Sequence, residues 1–252
     1  MVIDLNCDVG EGFGAWRMGP DEELVPLVSS ASVACGFHAG DPATMHATVR
    51  LARQHGVAVG AHPSYPDLAG FGRRPLAATP EQIRDDVIYQ VGALLGFCRA
   101  EGVRLAHVKA HGALYNAAAR DPAVARALAE AVHAVDPELW VVALARSAMV
   151  EAAREAGLRC AQEVFADRAC LRDGTLLPRD RPGAVLTEPA AVADRVVSVV
   201  RDGELPAADG GMLVVDAQTV CIHGDTPGAA LLLAAVRERL AREGIEVRAF
   251  SG

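Results

Sequence analysis

The sequence predicts an α/β fold in which seven parallel strands close into a barrel. Segments typical of strands alternate with segments typical of helices, a pattern that gives parallel sheets with right-handed crossovers. Three of the strands have one polar and one apolar face, whereas an open sheet has only two edges at which such strands are expected. A chain of 252 residues, 51% of them hydrophobic, suits one barrel better than two domains. We therefore predict a single barrel domain over residues 1–252.

Apolar runs and helix-capping residues divide the chain into these elements. The predicted strands cover residues 2–8, 32–37, 57–59, 105–111, 139–145, 159–165 and 219–223, with an additional strand at 246–250. The predicted helices cover residues 21–29, 42–55, 80–102, 121–135, 147–156, 188–201 and 228–243. Asp41 before Pro42 and Thr79 before Pro80 are typical helix N-caps. Residues 112–116, 171–187 and 203–212 are predicted as irregular segments.

The alternating strands assign polar side chains to the barrel interior. In the first strand Asp4, Asn6 and Asp8 share one face, because successive strand residues point to opposite sides of a sheet. In the fourth strand Lys109 and His111 share a face in the same way. Apolar residues between them would face the helices. We expect the first strand to lie beside the seventh, whose inner face is also polar.

Composition excludes several classes of partner. The formal net charge is −8 and the pI is about 5.5, which disfavours nucleic acid and anionic membrane surfaces. The sequence has neither an apolar run long enough to cross a bilayer nor an N-terminal signal-peptide pattern. We expect a cytoplasmic protein whose six cysteines are reduced.

Ionisable residues follow the predicted strands at their carboxyl ends, where barrel enzymes place their active sites. The residues predicted to carry out chemistry are Asp8, Glu11, His38, His62, Lys109, His111, Glu163 and His223. The residues predicted to bind substrate or phosphate are Asn6, Asp41, Tyr65, Arg73, Arg74, Asn116, Asp167, Arg168, Arg179 and Asp225. Any one of these residues could be structural. As a set at one rim of the barrel they indicate an active site. Burying a charged group costs free energy unless the group is paired or takes part in binding or catalysis.

Lys109 is the only lysine among 24 basic residues, the others being arginine. Lysine is a compact point charge whose pKa can be tuned, whereas arginine is planar and permanently charged. Lys109 therefore becomes a candidate either for a general base or for a cation that contacts a carboxylate substrate.

The sequence leaves the presence of a divalent metal open. Asp8, His38, His62 and His223 offer the ligand atoms that zinc prefers. No short His-x-x-x-His spacing supports a zinc site, however. The chain also has no G-x-x-x-x-G-K phosphate-binding motif.

Six blocks of the sequence resemble the LamB/YcsF family, to which the A subunit of the bacterial ATP-dependent 5-oxoprolinase belongs. The blocks are residues 4–14, 34–42, 60–74, 108–116, 163–168 and 223–225. Two positions depart from the family pattern, since Ala110 replaces a usual proline and Cys170 a frequent tyrosine. The blocks extend over nearly the whole chain, and together they are specific.

The resemblance implies a seven-stranded, TIM-like (β/α) barrel similar to the glycoside hydrolase and deacetylase barrels. It implies cleavage of 5-oxo-L-proline (pyroglutamate) to L-glutamate, coupled to hydrolysis of ATP to ADP and phosphate. The implied partners are the B and C subunits of 5-oxoprolinase, with ATP as co-substrate. The resemblance does not assign catalytic residues, so the candidates above depend on the strand-end argument.

Two other functions agree with the same residues. One is a metal-dependent deacetylase-like hydrolase that acts alone on an N-acyl sugar. The other is a non-catalytic subunit that binds substrate or acts as a scaffold. Metal analysis and an assay of the chain with and without its partners would separate them. Self-association of the chain is also left open.

Overall fold

Seven parallel strands close into a barrel in the computed structural model, which describes residues 1–251. The described residues form ten strands, of which seven make the barrel; the ten are β1 (Val2–Val9), β2 (Ser30–Ala34), β3 (Ala58–His62), β4 (Leu105–Lys109), β5 (Trp140–Leu144), β6 (Arg159–Phe165), β7 (Glu204–Pro206), β8 (Met212–Val214), β9 (Thr219–Cys221) and β10 (Glu246–Val247). The barrel order is β1-β2-β3-β4-β5-β6-β9, and β9 pairs with β1, with Asp4 opposite Thr219. The predicted closed barrel and the pairing of its first and last strands are confirmed.

Eight α-helices are described within residues 1–251. They are α1 (Asp21–Leu24), α2 (Pro42–His55), α3 (Pro80–Ala100), α4 (Gly112–Arg120), α5 (Pro122–Val135), α6 (Ala148–Glu155), α7 (Pro189–Asp202) and α8 (Ala229–Arg242). Two predicted caps are present: the Asp41 side chain accepts from two amides of α2, and Thr79 forms a reciprocal capping box with Gln82. None of the helices in this part of the chain is long and apolar enough to span a membrane.

The polar lumen predicted from strand alternation is present. Asp4, Asn6 and Asp8 are buried on the inner face of β1, where they contact polar groups of the other strands. At the lower end of the lumen, the Asp4 carboxylate accepts hydrogen bonds from Ser30 and Thr219. Burial raises the pKa of Asp4 to about 6, although these hydroxyl groups partly oppose the shift.

The small residue Gly60 makes room for His107 in the barrel interior. A Cβ atom at position 60 would lie 2.0 Å from Nε2 of His107. The same nitrogen lies 3.2 Å from the Ser32 hydroxyl oxygen, so the imidazole is held between β2 and β3. A side chain on β4 thus requires a glycine on the neighbouring strand β3.

Besides shifts of up to three residues at the ends of elements, four local predictions differ from the structure. Residues 112–116 begin helix α4, since β4 passes directly into the helix at Gly112, whose φ is +56°. Residues 203–212 form most of the β7–β8 hairpin, with two glycines at positive φ allowing its turn. The predicted helix 21–29 is shorter and continues as a 3-10 turn, Val25–Leu27. The last strand shortens to β10, which pairs with β1 outside the closed barrel.

Candidate active site

A cavity of 380 Å³ opens at the carboxyl ends of the barrel strands. Its charged and polar lining residues are Asp8, His62, Arg73, Lys109, His111, Tyr115, Asn116, Arg120, Arg168, Arg179 and His223. Most of the predicted site residues therefore reach one cavity or the layer directly behind it. Their individual roles stay predictions.

Lys109 lies at the floor of the cavity, with 2% of its side chain exposed. Its Nζ lies 2.9 Å from Asp8 Oδ1 and 2.9 Å from Glu163 Oε1, and it donates to Asn6 Oδ1 at 3.0 Å. Tyr115 donates its hydroxyl proton to Glu163 Oε2 at 2.8 Å. Burial alone would lower the pKa of Lys109, but its anionic neighbours, Asp8 foremost, raise it well above the usual range. Lys109 is thus better suited to be a fixed cation than a general base.

A second group, here called the histidine cluster, comprises Glu11, His38, His62 and His111. The rings of His38 and His111 stack at 3.8 Å, and His62 meets His111 edge-on at 4.8 Å. One ligand atom from each of the four residues lies within 4.8 Å of the others. All four residues are buried. The sequence had instead indicated Asp8 and His223 beside His38 and His62, because it could not show which strand ends are neighbours.

Ionisation in the histidine cluster follows from burial. Burial lowers the pKa of His38 and of His111 well below the usual range, and neighbouring histidines lower both further. Burial raises the pKa of Glu11 well above its usual range, and the negative charge of Asp8 adds to the shift. Burial would also raise the pKa of Asp8, but His62 and Lys109 hold it well below normal.

Basic residues cover the outer part of the cavity. Arg73 pairs with Asp225 at 2.6 Å, and Arg179 approaches the same carboxylate at 3.9 Å. Arg168 donates to two backbone carbonyls of the segment between β6 and α7. Its pKa is lowered to about 10, first by burial and then by the positive charges of Arg179 and Arg73. Crowded guanidinium groups of this kind favour an anionic ligand, whose charge would relieve their repulsion.

His223, which lines the cavity, forms a pair with Asp167. His223 Nδ1 lies 3.0 Å from Asp167 Oδ1, and Thr226 donates its hydroxyl proton to Asp167 Oδ2 at 2.6 Å. Burial would raise the pKa of Asp167, but His223 and these hydrogen bonds lower it. The Phe165 ring stacks on His223 at 4.8 Å between centroids. A carboxylate therefore fixes the orientation of an imidazole at the cavity wall.

Six of the predicted binding residues do not line the cavity: Asn6, Asp41, Tyr65, Arg74, Asp167 and Asp225. Asp41 is occupied as the N-cap of α2, and Arg74 pairs with Asp67 on the exposed side of the loop after β3. Tyr65 is buried in the hydrophobic core. Asn6 and Glu163 lie behind Lys109 and contact it without lining the cavity.

Strand-end reasoning missed Tyr115, Arg120 and Phe165, which line the cavity. Tyr115 could have been found had α4 been predicted, because a residue four positions after His111 returns to the same side of a helix. Of the two departures from the family pattern, Ala110 lines the cavity, and Cys170 is buried away from it, with Sγ 3.5 Å from an Arg195 nitrogen.

The model of the LamB/YcsF family matches residues 3–252. The chain belongs to the LamB/YcsF family. The 5-oxoprolinase A subunit of Bordetella pertussis (strain Tohama I) is 54% identical over 248 residues, which cover 98% of each chain. The protein of the same name from Thermus thermophilus is 54% identical over 250 residues, 99% of this chain and 100% of that protein.

A solved structure has the same fold. The crystal structure of the lactam utilization protein from Thermus thermophilus superposes with a TM-score of 0.94 at 53% sequence identity. The match covers 99% of this chain and 100% of that one. The family predicted from the six sequence blocks is thus confirmed, together with its barrel.

Proposed function

We propose that the chain is the A subunit of a 5-oxoprolinase, which with its B and C subunits converts 5-oxo-L-proline to L-glutamate at the expense of ATP. The main support is full-length similarity, at 54% identity, to proteins named as the A subunits of 5-oxoprolinases. The similar Thermus thermophilus structure is that of a lactam utilization protein, which agrees with a cyclic amide as substrate.

The cavity suits a small anionic lactam. Its volume of 380 Å³ falls within the range of about 300–1,000 Å³ that is usual for ligand sites. The substrate has a carboxylate, and Arg168 and Arg179 provide an electropositive wall that can bind it. This wall would direct the lactam ring towards the strand ends, where Asp8, His62 and His223 lie.

The reaction needs both activation of the lactam and activation of water. A five-membered lactam is a stable amide, and transfer of a phosphoryl group from ATP to its oxygen would make the ring carbon electrophilic. Water would then attack that carbon, and the ring C–N bond would break, so that the nitrogen leaves as the amine of an acyl phosphate of glutamate. A second water would hydrolyse this acyl phosphate to L-glutamate and phosphate. His223, oriented by Asp167 through Nδ1, is suited to accept the proton of the first water through Nε2. Lys109 would stabilise negative charge that develops at the floor of the cavity.

Binding of ATP is assigned to the complex rather than to a motif of this chain. The sequence has no G-x-x-x-x-G-K loop. The electropositive wall could still receive the phosphate of an activated substrate, because guanidinium groups bind phosphate and carboxylate alike.

The test is glutamate release from 5-oxoproline by the chain alone, by the B and C subunits without it, and by the three together, each with and without ATP. We expect turnover only in the complete, ATP-supplied mixture. His223→Ala should lower kcat by about 100-fold or more while the complex still assembles. Unchanged turnover by the complex with His223→Ala would favour a scaffold role for the chain. Turnover of N-acyl sugars by the chain alone would favour the deacetylase alternative.

A further inference from the structure

The tautomers of two buried histidines are set by backbone carbonyls. His62 Nδ1 lies 2.7 Å from the carbonyl oxygen of Lys109, and His111 Nε2 lies 2.9 Å from that of Phe71. A carbonyl oxygen only accepts hydrogen bonds, so each of these ring nitrogens carries the proton. In the neutral rings, His62 Nε2 and His111 Nδ1 are therefore bare, meaning that each has a lone pair and no proton.

These two bare nitrogens lie 3.0 Å apart and face each other. Two lone pairs at this distance repel unless a cation or a proton lies between them. Two carboxylate oxygens also approach the gap: Glu11 Oε1 lies 3.4 Å from His111 Nδ1, and Asp8 Oδ2 lies 3.4 Å from His62 Nε2. The gap is thus surrounded by electron-pair donors.

His38 adds another donor to the same place. Its Nε2 lies 3.6 Å from Glu11 Oε1, and the residue is 1% exposed. Among residues 1–251, neither ring nitrogen of His38 has a hydrogen-bond partner, and Glu11 Oε1 also has none. Buried polar atoms are normally satisfied, so His38 Nε2 and Glu11 Oε1, which lie 3.6 Å apart and have no partner, are suited to share one ligand.

We propose that the histidine cluster binds one divalent transition-metal ion of the zinc class. The ligands are Glu11, His38, His62 and His111. Ligand atoms about 2.1 Å from a tetrahedral ion are separated by about 3.4 Å, and the separations found here are 3.0, 3.4 and 3.6 Å. When bound, such an ion supplies Lewis-acid polarisation of an oxygen atom.

The surroundings of the cluster have the features of a metal site. Metal-binding histidines usually donate their other N–H to a carbonyl or carboxylate, as His62 and His111 do here. Phe71, which supplies one of these carbonyls, has φ of +54°, a region rarely adopted by residues other than glycine. A proton between His62 and His111 would still leave the His38 nitrogens and Glu11 Oε1 without a partner, whereas one metal ion can contact an atom of each of the four residues. The inference depends on this geometry and not on the reaction proposed above.

The experiment measures metal binding directly. The chain is dialysed against chelator and then titrated with Zn²⁺ by calorimetry, with mass spectrometry of the bound metal as a second readout. We expect one ion per chain. Replacement by Co²⁺ should give the intense visible absorption of a four-coordinate nitrogen and oxygen site. Glu11→Gln, which keeps the shape of the side chain, should weaken affinity roughly 100-fold, and His62→Ala at least as much.

His223→Ala is the matched control, because His223 lies in the same cavity but outside the cluster. We expect it to bind Zn²⁺ like the unaltered chain. Circular dichroism verifies that each variant is folded, and Glu11→Gln is the decisive variant if His62→Ala does not fold. Failure of the unaltered chain to take up one ion would overturn the proposal, as would unchanged affinity in Glu11→Gln. None of these readouts requires turnover, so the metal site and the proposed 5-oxoprolinase activity can fail separately.

Discussion

Removal of the Lys109 charge should destabilise the barrel strongly. Lys109→Met replaces the ammonium by a group of similar length and leaves Asp8 and Glu163 buried beside each other without their cation. At the observed separation of 2.9 Å, each ion pair corresponds to about 6 kcal/mol of attraction with an effective dielectric constant of about 20. Most of this attraction offsets the desolvation of the buried charges. Breaking such a network typically costs about 3–5 kcal/mol of unfolding free energy.

The assay is urea and thermal unfolding of the isolated chain, with chelator present so that a bound metal does not contribute. For a chain of this size, that loss lowers Tm by roughly 6–20 °C. The double variant Lys109→Met with Glu163→Gln should recover part of the loss, because it removes one of the uncompensated carboxylates. Arg154→Met is the control, since Arg154 forms an exposed ion pair with Glu151 and should change stability little. A loss below about 1 kcal/mol in Lys109→Met, or no recovery in the double variant, would refute this account.

Three further predictions concern the lumen and the cavity. The Asp4 pKa of about 6 lies above the unfolded value of 3.8, so the folded chain holds a proton that the unfolded chain releases, and stability falls as pH rises from about 4 to 6. In unfolding measured as a function of pH, this decrease in unfolding free energy should be about 3 kcal/mol smaller in Asp4→Asn. The part of the decrease that is due to Asp21, whose pKa is also about 6, should remain. Gly60→Ala should lower stability by about 1–3 kcal/mol in urea unfolding, because its Cβ would overlap His107; an unchanged midpoint would contradict that packing. Arg179→Met should raise KM for 5-oxoproline about 10-fold in the reconstituted complex, with kcat changed less. A roughly 10-fold fall in kcat with unchanged KM would argue against carboxylate binding by Arg179.

Much of the fold was accessible from the sequence because barrel strands repeat a simple pattern. The polar and apolar faces of β1 and β4 predicted the lumen, and strand β6 was predicted with its observed bounds. Caps such as Thr79 marked helix starts, since capping is a local interaction. Short elements were less accessible: the β7–β8 hairpin and helix α4 depend on tertiary packing and on single glycine conformations, which leave little periodicity in the sequence.

The sequence by itself determined the family, the barrel and the presence of a histidine-rich, carboxylate-rich rim. These follow from residue types and their positions at strand ends. Only the tertiary structure decided which rim residues meet: Lys109 with Asp8 and Glu163, and His223 with Asp167 rather than with the other histidines. The physical reason is that strand order, register and side-chain orientation bring together residues 54 to 101 positions apart. Charge pairing and tautomer then depend on distances of a few ångströms between these side chains.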